Sequence, residues 1–182
     1  MNAAAFVVGP RDGAGAALEE LARGLGFAPV GRYAGLAQAE AQAAETPLLF
    51  FLCAEVRDVG TLKPVADAIR FSGNLNVKFS PLIYVARDLS VEGIKLCIRM
   101  GFDDVIALPY AGGLAERIGR QVGQPQVYYE TASYFGPDRR NRVGESRSTE
   151  SDHGGGQYRR IEIVRHPRTG VDVVHDDFQV VL

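Results

Sequence analysis

The sequence predicts an α/β fold: a five-stranded parallel sheet in the order 2-1-3-4-5, with helices on both faces, followed by a tail that carries a β-hairpin. Three observations predict it. From Ala3 to Val122, short apolar runs alternate with amphipathic stretches, and the alternation repeats five times. Two of the apolar runs, Leu48 to Cys53 and Pro81 to Ala86, have no polar break, as strands covered on both faces require. After Val122 the apolar pattern gives way to polar, Gly/Ser/Arg-rich sequence.

Taken in order, Ala3 to Val8 reads as a strand stopped by Gly9 and Pro10. Leu18, Leu21 and Leu25 recur at helical spacing, and Gly26 closes that helix. Pro29 to Tyr33 is a weak strand. Leu36 to Glu45 is Ala-rich and helical, with Leu36, Ala39 and Ala43 on one face. The run to Cys53 is the third strand. A helix is expected over Thr61 to Phe71 with Leu62, Val65, Ala66 and Ile69 inward, then a loop from Ser72 to Ser80. After the fourth strand, Ser90 caps a helix that turns Ile94, Cys97 and Ile98 to the core and ends at Gly101. Val105 to Leu108 is the fifth strand, ended by Pro109. Leu114, Ile118 and Val122 mark the last helix. Five such units suit the flavodoxin-like order, in which function gathers at the carboxyl ends of the strands. Here those ends are Gly9–Asp12, Cys53–Asp58, Ala86–Asp88 and Leu108–Tyr110.

The boundaries that follow are a first domain over 1–123, a largely flexible linker over 124–157 and a hairpin segment over 158–182. Within the linker, Val127 to Tyr129 is at most one short extended piece, and Asp138 to Gly156 reads as disordered. In the last segment, Ile161 and Ile163 alternate, Pro167 to Gly170 turns the chain, and Val171 and Val173 alternate again. A lone hairpin is marginal, so it should pack on the domain or on a partner.

Composition narrows the function classes. The chain has 182 residues, 46% of them hydrophobic, and a formal net charge of −2, which gives no bulk reason to expect nucleic acid or a membrane surface. No apolar run approaches the roughly 18 residues of a membrane span. The start of the chain lacks the basic-then-apolar pattern of a signal peptide. Cys53 and Cys97 both sit in apolar sequence, as buried thiols of a reducing compartment do. A cytoplasmic protein is expected.

The stretch Gly101-Phe102-Asp103-Asp104-Val105-Ile106-Ala107-Leu108-Pro109-Tyr110 carries a family resemblance. It resembles the end of the fourth helix, the fifth strand and the following turn of bacterial response-regulator receiver domains, where the pattern is Gly-Ala-x-x-Tyr/Phe-x-x-Lys-Pro-Phe. The third and fourth strands are similar to the receiver's own. The resemblance covers about residues 3–123. It implies a domain that accepts a phosphoryl group from a histidine kinase onto an aspartate after strand 3. It also implies a Mg²⁺ held by that aspartate and an acidic pair, with a hydroxyl and a lysine gripping the phosphoryl oxygens. Hard oxygen ligands and nearby positive charge are what that transfer needs.

This sequence departs at each of those positions. Gly9 and Pro10 stand at the acidic pair, Cys53 at the phosphoacceptor, Ala86 at the hydroxyl and Leu108 at the lysine. Val105 replaces the aromatic that moves on activation, and Leu52 and Ala54 flank Cys53, so a one-residue slip restores nothing. The expectation is a pseudo-receiver with no metal, no cofactor and no catalytic residue, acting in a two-component pathway by binding protein: a histidine kinase, another regulator or a second copy of itself. Carried over from receivers, the binding face would include Lys95, Arg99, Val105, Tyr110 and Arg117, with Tyr134 and Phe135 of the tail as further anchors. A strap packed back on the domain is the equal alternative for those two aromatics.

Other readings are weaker. Asp12, Glu55, Asp58 and Asp88 lie in loops around the old site and are read as solvated charges, although a regulator phosphorylated on Glu55 or Asp58 is the runner-up. Gly9 to Gly13 reads as a tight turn and lacks the spacing and lysine of a phosphate loop. Cys53 has no adjacent His or Lys to activate it. His153, His166 and His175 fit no zinc spacing. A flavodoxin-like cofactor site would need aromatic residues at the strand ends, and only Tyr110 qualifies. From Asp138 to Arg168 there are 8 Arg against 5 acids, a local net of +3, which is small for nucleic-acid binding.

Overall fold

The structure is a computed structural model that describes residues 2–109, 113–138 and 157–180. Tyr110, the polar stretch from residue 139 to 156 with His153, and the last two residues lie outside the described residues.

Five parallel strands form the first sheet: β1 (Ala4–Val8), β2 (Val30–Arg32), β3 (Leu49–Ala54), β4 (Leu82–Ala86) and β5 (Asp104–Ala107). Their order is β2-β1-β3-β4-β5, the flavodoxin-like arrangement expected. Every residue of β1, β3 and β4 is buried, which is why those runs lack polar breaks. Helices α1 (Gly13–Gly24), α2 (Leu36–Glu45), α3 (Lys63–Arg70), α5 (Val91–Arg99) and α6 (Leu114–Gly119) cover the two faces. One buried cluster joins Phe6, Phe51, Cys53, Tyr84 and Cys97 on one side, and another joins Leu18, Phe27, Phe50, Leu52 and Ile118 on the other. The apolar area so removed from water is the main stabilising term of this domain.

Local signals placed the helix ends. The Ser90 hydroxyl accepts from the Gly93 N–H at 3.0 Å, and Gly101 ends α5 at φ +83. The loop expected over Ser72 to Ser80 is different: it holds a short helix, α4 (Leu75–Lys78). Asn74 caps it by accepting from Asn76 N at 3.0 Å and Val77 N at 3.4 Å.

The largest difference from expectation follows Val122. The segment expected as linker carries two strands, β6 (Pro125–Glu130) and β7 (Phe135–Pro137). The expected hairpin is β8 (Gln157–His166) and β9 (Gly170–Val180), and β8 pairs with β6 to give an antiparallel sheet in the order β7-β6-β8-β9. The tail aromatics supply the reason. Tyr128, Phe135, Ile161 and Ile163 form a buried cluster on Phe79, just before β4. The hairpin therefore packs on the domain, and it packs at the amino ends of β4 and β5, away from the edge where folds of this order carry chemistry.

Candidate functional site

At the carboxyl edge of the parallel sheet, two clefts flank Glu55. One, of about 340 Å³, is lined by α1 and by the ends of β3, β4 and β5: Ala17, Leu21, Ala54, Val85, Ala86 and Leu108 among them. The other, of about 540 Å³, is lined by Gly9, Pro10, Asp12, Glu55, Thr61 and Leu62 among others. Four of the five predicted site positions thus meet at this edge: Ala86 and Leu108 in the first cleft, Gly9 and Pro10 in the second. Cys53 does not join them. Its side chain is wholly buried in the core cluster with Phe6 and Phe51, and Ala54, one residue on, lines the cleft instead. Neither an inward thiol nor an outward methyl accepts a phosphoryl group or holds Mg²⁺ well, since that ion seeks oxygen.

Three of the acids around the edge, Asp12, Glu55 and Asp58, are engaged with the backbone, and Asp88 is exposed. Asp12 Oδ1 accepts from Ala14 N at 3.1 Å, capping α1. Asp58 Oδ1 accepts from Gly60 N at 2.8 Å, capping a single 3₁₀ turn, Val59–Leu62. Glu55 Oε2 accepts from Arg87 N at 2.9 Å and ties the β3 loop to the β4 loop. Each bond uses part of a carboxylate's acceptor capacity. Among the described residues no three His, Cys, Asp or Glu side chains gather to hold a metal. Arg32, at the end of β2, was not singled out in the sequence. It pairs with Glu19 and donates to the Pro10 carbonyl at 2.7 Å, so it fixes the loop after β1.

Both thiols are unreactive by environment. Burial pushes Cys97 up to about 12, and burial with the neighbouring Cys97 pushes Cys53 higher still.

The residues named for a binding face fall in different places. Lys95 and Arg99 are exposed on α5, and Lys95 pairs with Glu92 at 3.1 Å. Val105 is half-buried on β5, and Arg117 of α6 clamps Asp104 and donates to the Val105 carbonyl at 3.0 Å. Tyr110 lies outside the described residues. The tail aromatics are elsewhere. Phe135 is only 3% exposed, stacked near Tyr128 and Phe79, and the Tyr134 hydroxyl donates to the Pro137 carbonyl at 3.2 Å. Phe135 packs back on the domain and is not accessible as a docking anchor, whereas Tyr134 is half-buried.

Opposite this edge is a cluster of charges that sequence reasoning missed. Asp103, 1% exposed, accepts from Arg70 and from Leu82 N (2.7 Å) on one oxygen, and from Arg165 (3.0 Å) and Tyr128 on the other. Arg70 also donates to the carbonyls of Gly101, Lys78 and Ser80, each at 2.9 Å. Arg165 donates to the Phe79 carbonyl at 2.7 Å and to both oxygens of Gln121. Among the described residues no buried side-chain polar atom lacks a partner. Burial alone would raise the Asp103 pKa, but the two guanidiniums hold it below the usual carboxylate range. Arg165 comes from β8, so these bonds join the second sheet to the first.

With that geometry in hand, solved structures offer two likenesses. One is a CheY-like protein (tadZ) from Pseudomonas aeruginosa PAO1, 15% identical, with a TM-score of 0.46, covering 65% of this chain and 98% of that one. The other is the receiver domain of a sensor histidine kinase from the same organism, with a magnesium ion coordinated in its active-site cleft. It is 19% identical, with a TM-score of 0.42, and covers 65% of this chain and 93% of that one. At that distance neither says what this chain does. No family model and no curated protein matches the sequence.

Proposed function

We propose that the chain is a pseudo-receiver: a cytoplasmic signal-transduction protein of the two-component type that acts through protein–protein contacts independent of phosphorylation. The observation that carries this reading is the carboxyl edge of the parallel sheet. Ala54, Ala86 and Leu108 face the cleft where phosphoryl chemistry needs an acid, a hydroxyl and a cation. Asp12, Glu55 and Asp58 are turned to backbone N–H groups. Among the described residues this edge gathers no cluster of three acids for a cation to relieve, which favours one conformation. The partner is a histidine kinase, another regulator or a second copy, met through Lys95, Arg99 and the β5–α6 region.

The test is incubation of the full chain with acetyl phosphate and Mg²⁺, read by intact mass. No phosphoryl adduct is expected. An Mg²⁺-dependent adduct on Glu55 or Asp58 overturns the reading in favour of an unusual but working regulator.

A further inference from the structure

We propose that the free edge of β9 is a docking site for an extended segment of a partner protein in which basic and apolar side chains alternate. The inference concerns the second sheet and stands whether or not the other edge of the molecule is phosphorylated.

β9 ends the order β7-β6-β8-β9, so among the described residues no strand pairs with its outer side. At 11 residues it is also the longest strand described. A long unpaired edge presents a row of backbone donors and acceptors that another strand can complete. Native edges are guarded by lysine and by bulges, among other devices; between Gly170 and Val180 there is neither Lys nor Arg, and the one irregularity is a register shift that leaves Val174 without a partner in β8. The carboxylates that stand there are Asp172, Asp176 and Asp177.

Register sorts the side chains onto two faces. Val173 is opposite Ile163 and Phe178 opposite Arg159, on the face turned toward the first domain. That face is covered by the domain near Val171, whose N–H donates to Asn76 at 2.9 Å, but Val173 and Phe178 remain 40% and 65% exposed. Asp176 shares this face and is already held by Arg159 at 2.6 Å. On the other face are Asp172, His175 and Asp177, opposite Val164, Glu162 and Arg160; Asp172 lies 3.4 Å from His166 Nε2 and Asp177 2.6 Å from His175 Nε2, and each contact occupies one carboxylate oxygen and leaves the other for an incoming cation.

An added strand would therefore meet apolar side chains on one face and carboxylates on the other. Cross-strand pairs of like character, and of opposite charge, are the favourable ones. The complementary strand has valine-like residues facing Val173 and Phe178 and lysine or arginine facing Asp172 and Asp177. A second copy of β9 fails this requirement, because it brings three more aspartates and no Lys or Arg.

The test titrates the full chain with two labelled peptides of about ten residues, one alternating Lys with Val and one alternating Glu with Val, read by fluorescence anisotropy and amide NMR. The Lys–Val peptide should bind at least ~10-fold tighter, with amide shifts centred on β9. The double variant Asp172→Lys/Asp177→Lys, its fold checked by circular dichroism against the parent chain, should reverse the preference. Phe178→Ser should weaken both peptides. Equal binding of the two peptides, no binding of either, an unchanged preference in the double variant, or shifts confined to another surface overturns the proposal. So does self-association of the chain through β9 in sedimentation, which would make a second copy the occupant.

Discussion

The two ends of the parallel sheet treat charge in opposite ways. At the amino ends of β4 and β5, an aspartate and two arginines are fully buried and every donor is matched. At the carboxyl ends, where this strand order carries function, alanine and leucine face the cleft, Asp12 and Asp58 cap turns, and Glu55 ties two loops together. The contrast separates two jobs. A buried ion pair is poor evidence of added stability, but it is expensive to break and specifies which surfaces meet. Arg70, Asp103 and Arg165 come from α3, the β5 entry and β8, so their geometry specifies where the second sheet sits. The carboxyl edge, under the function proposed above, would hold one resting state.

The largest effect should come from breaking the amino-end cluster. Asp103→Ala leaves two buried guanidiniums facing each other and should cost about 3–5 kcal/mol, read as a lower denaturant midpoint. Ending the chain at Gly123 removes Arg165 and Tyr128 and uncovers Phe79, so residues 1–123 alone should lose cooperative unfolding. If that piece melts like the full chain, the second sheet is an appendage and the comparison fails.

Acid should act through the same carboxylate. Its folded pKa lies below the ordinary value of about 3.9, so its contribution is complete above that pH and is lost as pH falls through the folded value. A steep loss of stability below about pH 4 is expected, and Asp103→Asn should flatten it, as measured by denaturant midpoints against pH. An unchanged acid limb in that variant would assign the loss to other groups.

The carboxyl edge invites a smaller, more discriminating experiment. Cys53→Asp places a carboxyl inside the Phe6–Phe51 cluster and should cost about 3 kcal/mol without creating a phosphorylation site. Ala54→Asp directs the same group into the cleft and should cost less. The reverse ranking, by denaturation, would show that position 53 is the one turned outward.

Much of this was legible in the sequence. Unbroken apolar runs reported strands covered on both faces, and Ser90 and Gly101 reported the ends of α5 because capping is local chemistry. The strands β6 and β7 were not legible. Pro125, Gly136 and Pro137 punctuate them, and the pairing that makes them strands is with β8, more than thirty positions away for Tyr129 and Arg160. Charged residues default to solvent, so Arg70 and Arg165 went unremarked. Yet both sit on inward positions: Arg165 continues the alternation of Ile161 and Ile163, and Arg70 follows Ala66 at helical spacing. At the site, strand periodicity fixed which residues reach the sheet edge but not which of Cys53 and Ala54 faces the cleft, because both are small and apolar.

Asp103 and Asp104 are neighbours of the same type, each paired with arginine, and they offer the finest form of the comparison. Asp104, 12% exposed, meets Arg117, whose side chain is 39% exposed, so water screens the pair in part and the lost contact is partly replaced by solvent. Arg117→Ala should therefore cost no more than about 1 kcal/mol, against several for the change one residue earlier in the pair's partner. Raising the salt concentration should shrink the Arg117 effect and leave the Asp103 effect nearly unchanged, because ions screen the first pair and cannot reach the second. Equal costs for the two substitutions, or equal salt dependence, would mean that burial is not what sets these two ion pairs apart.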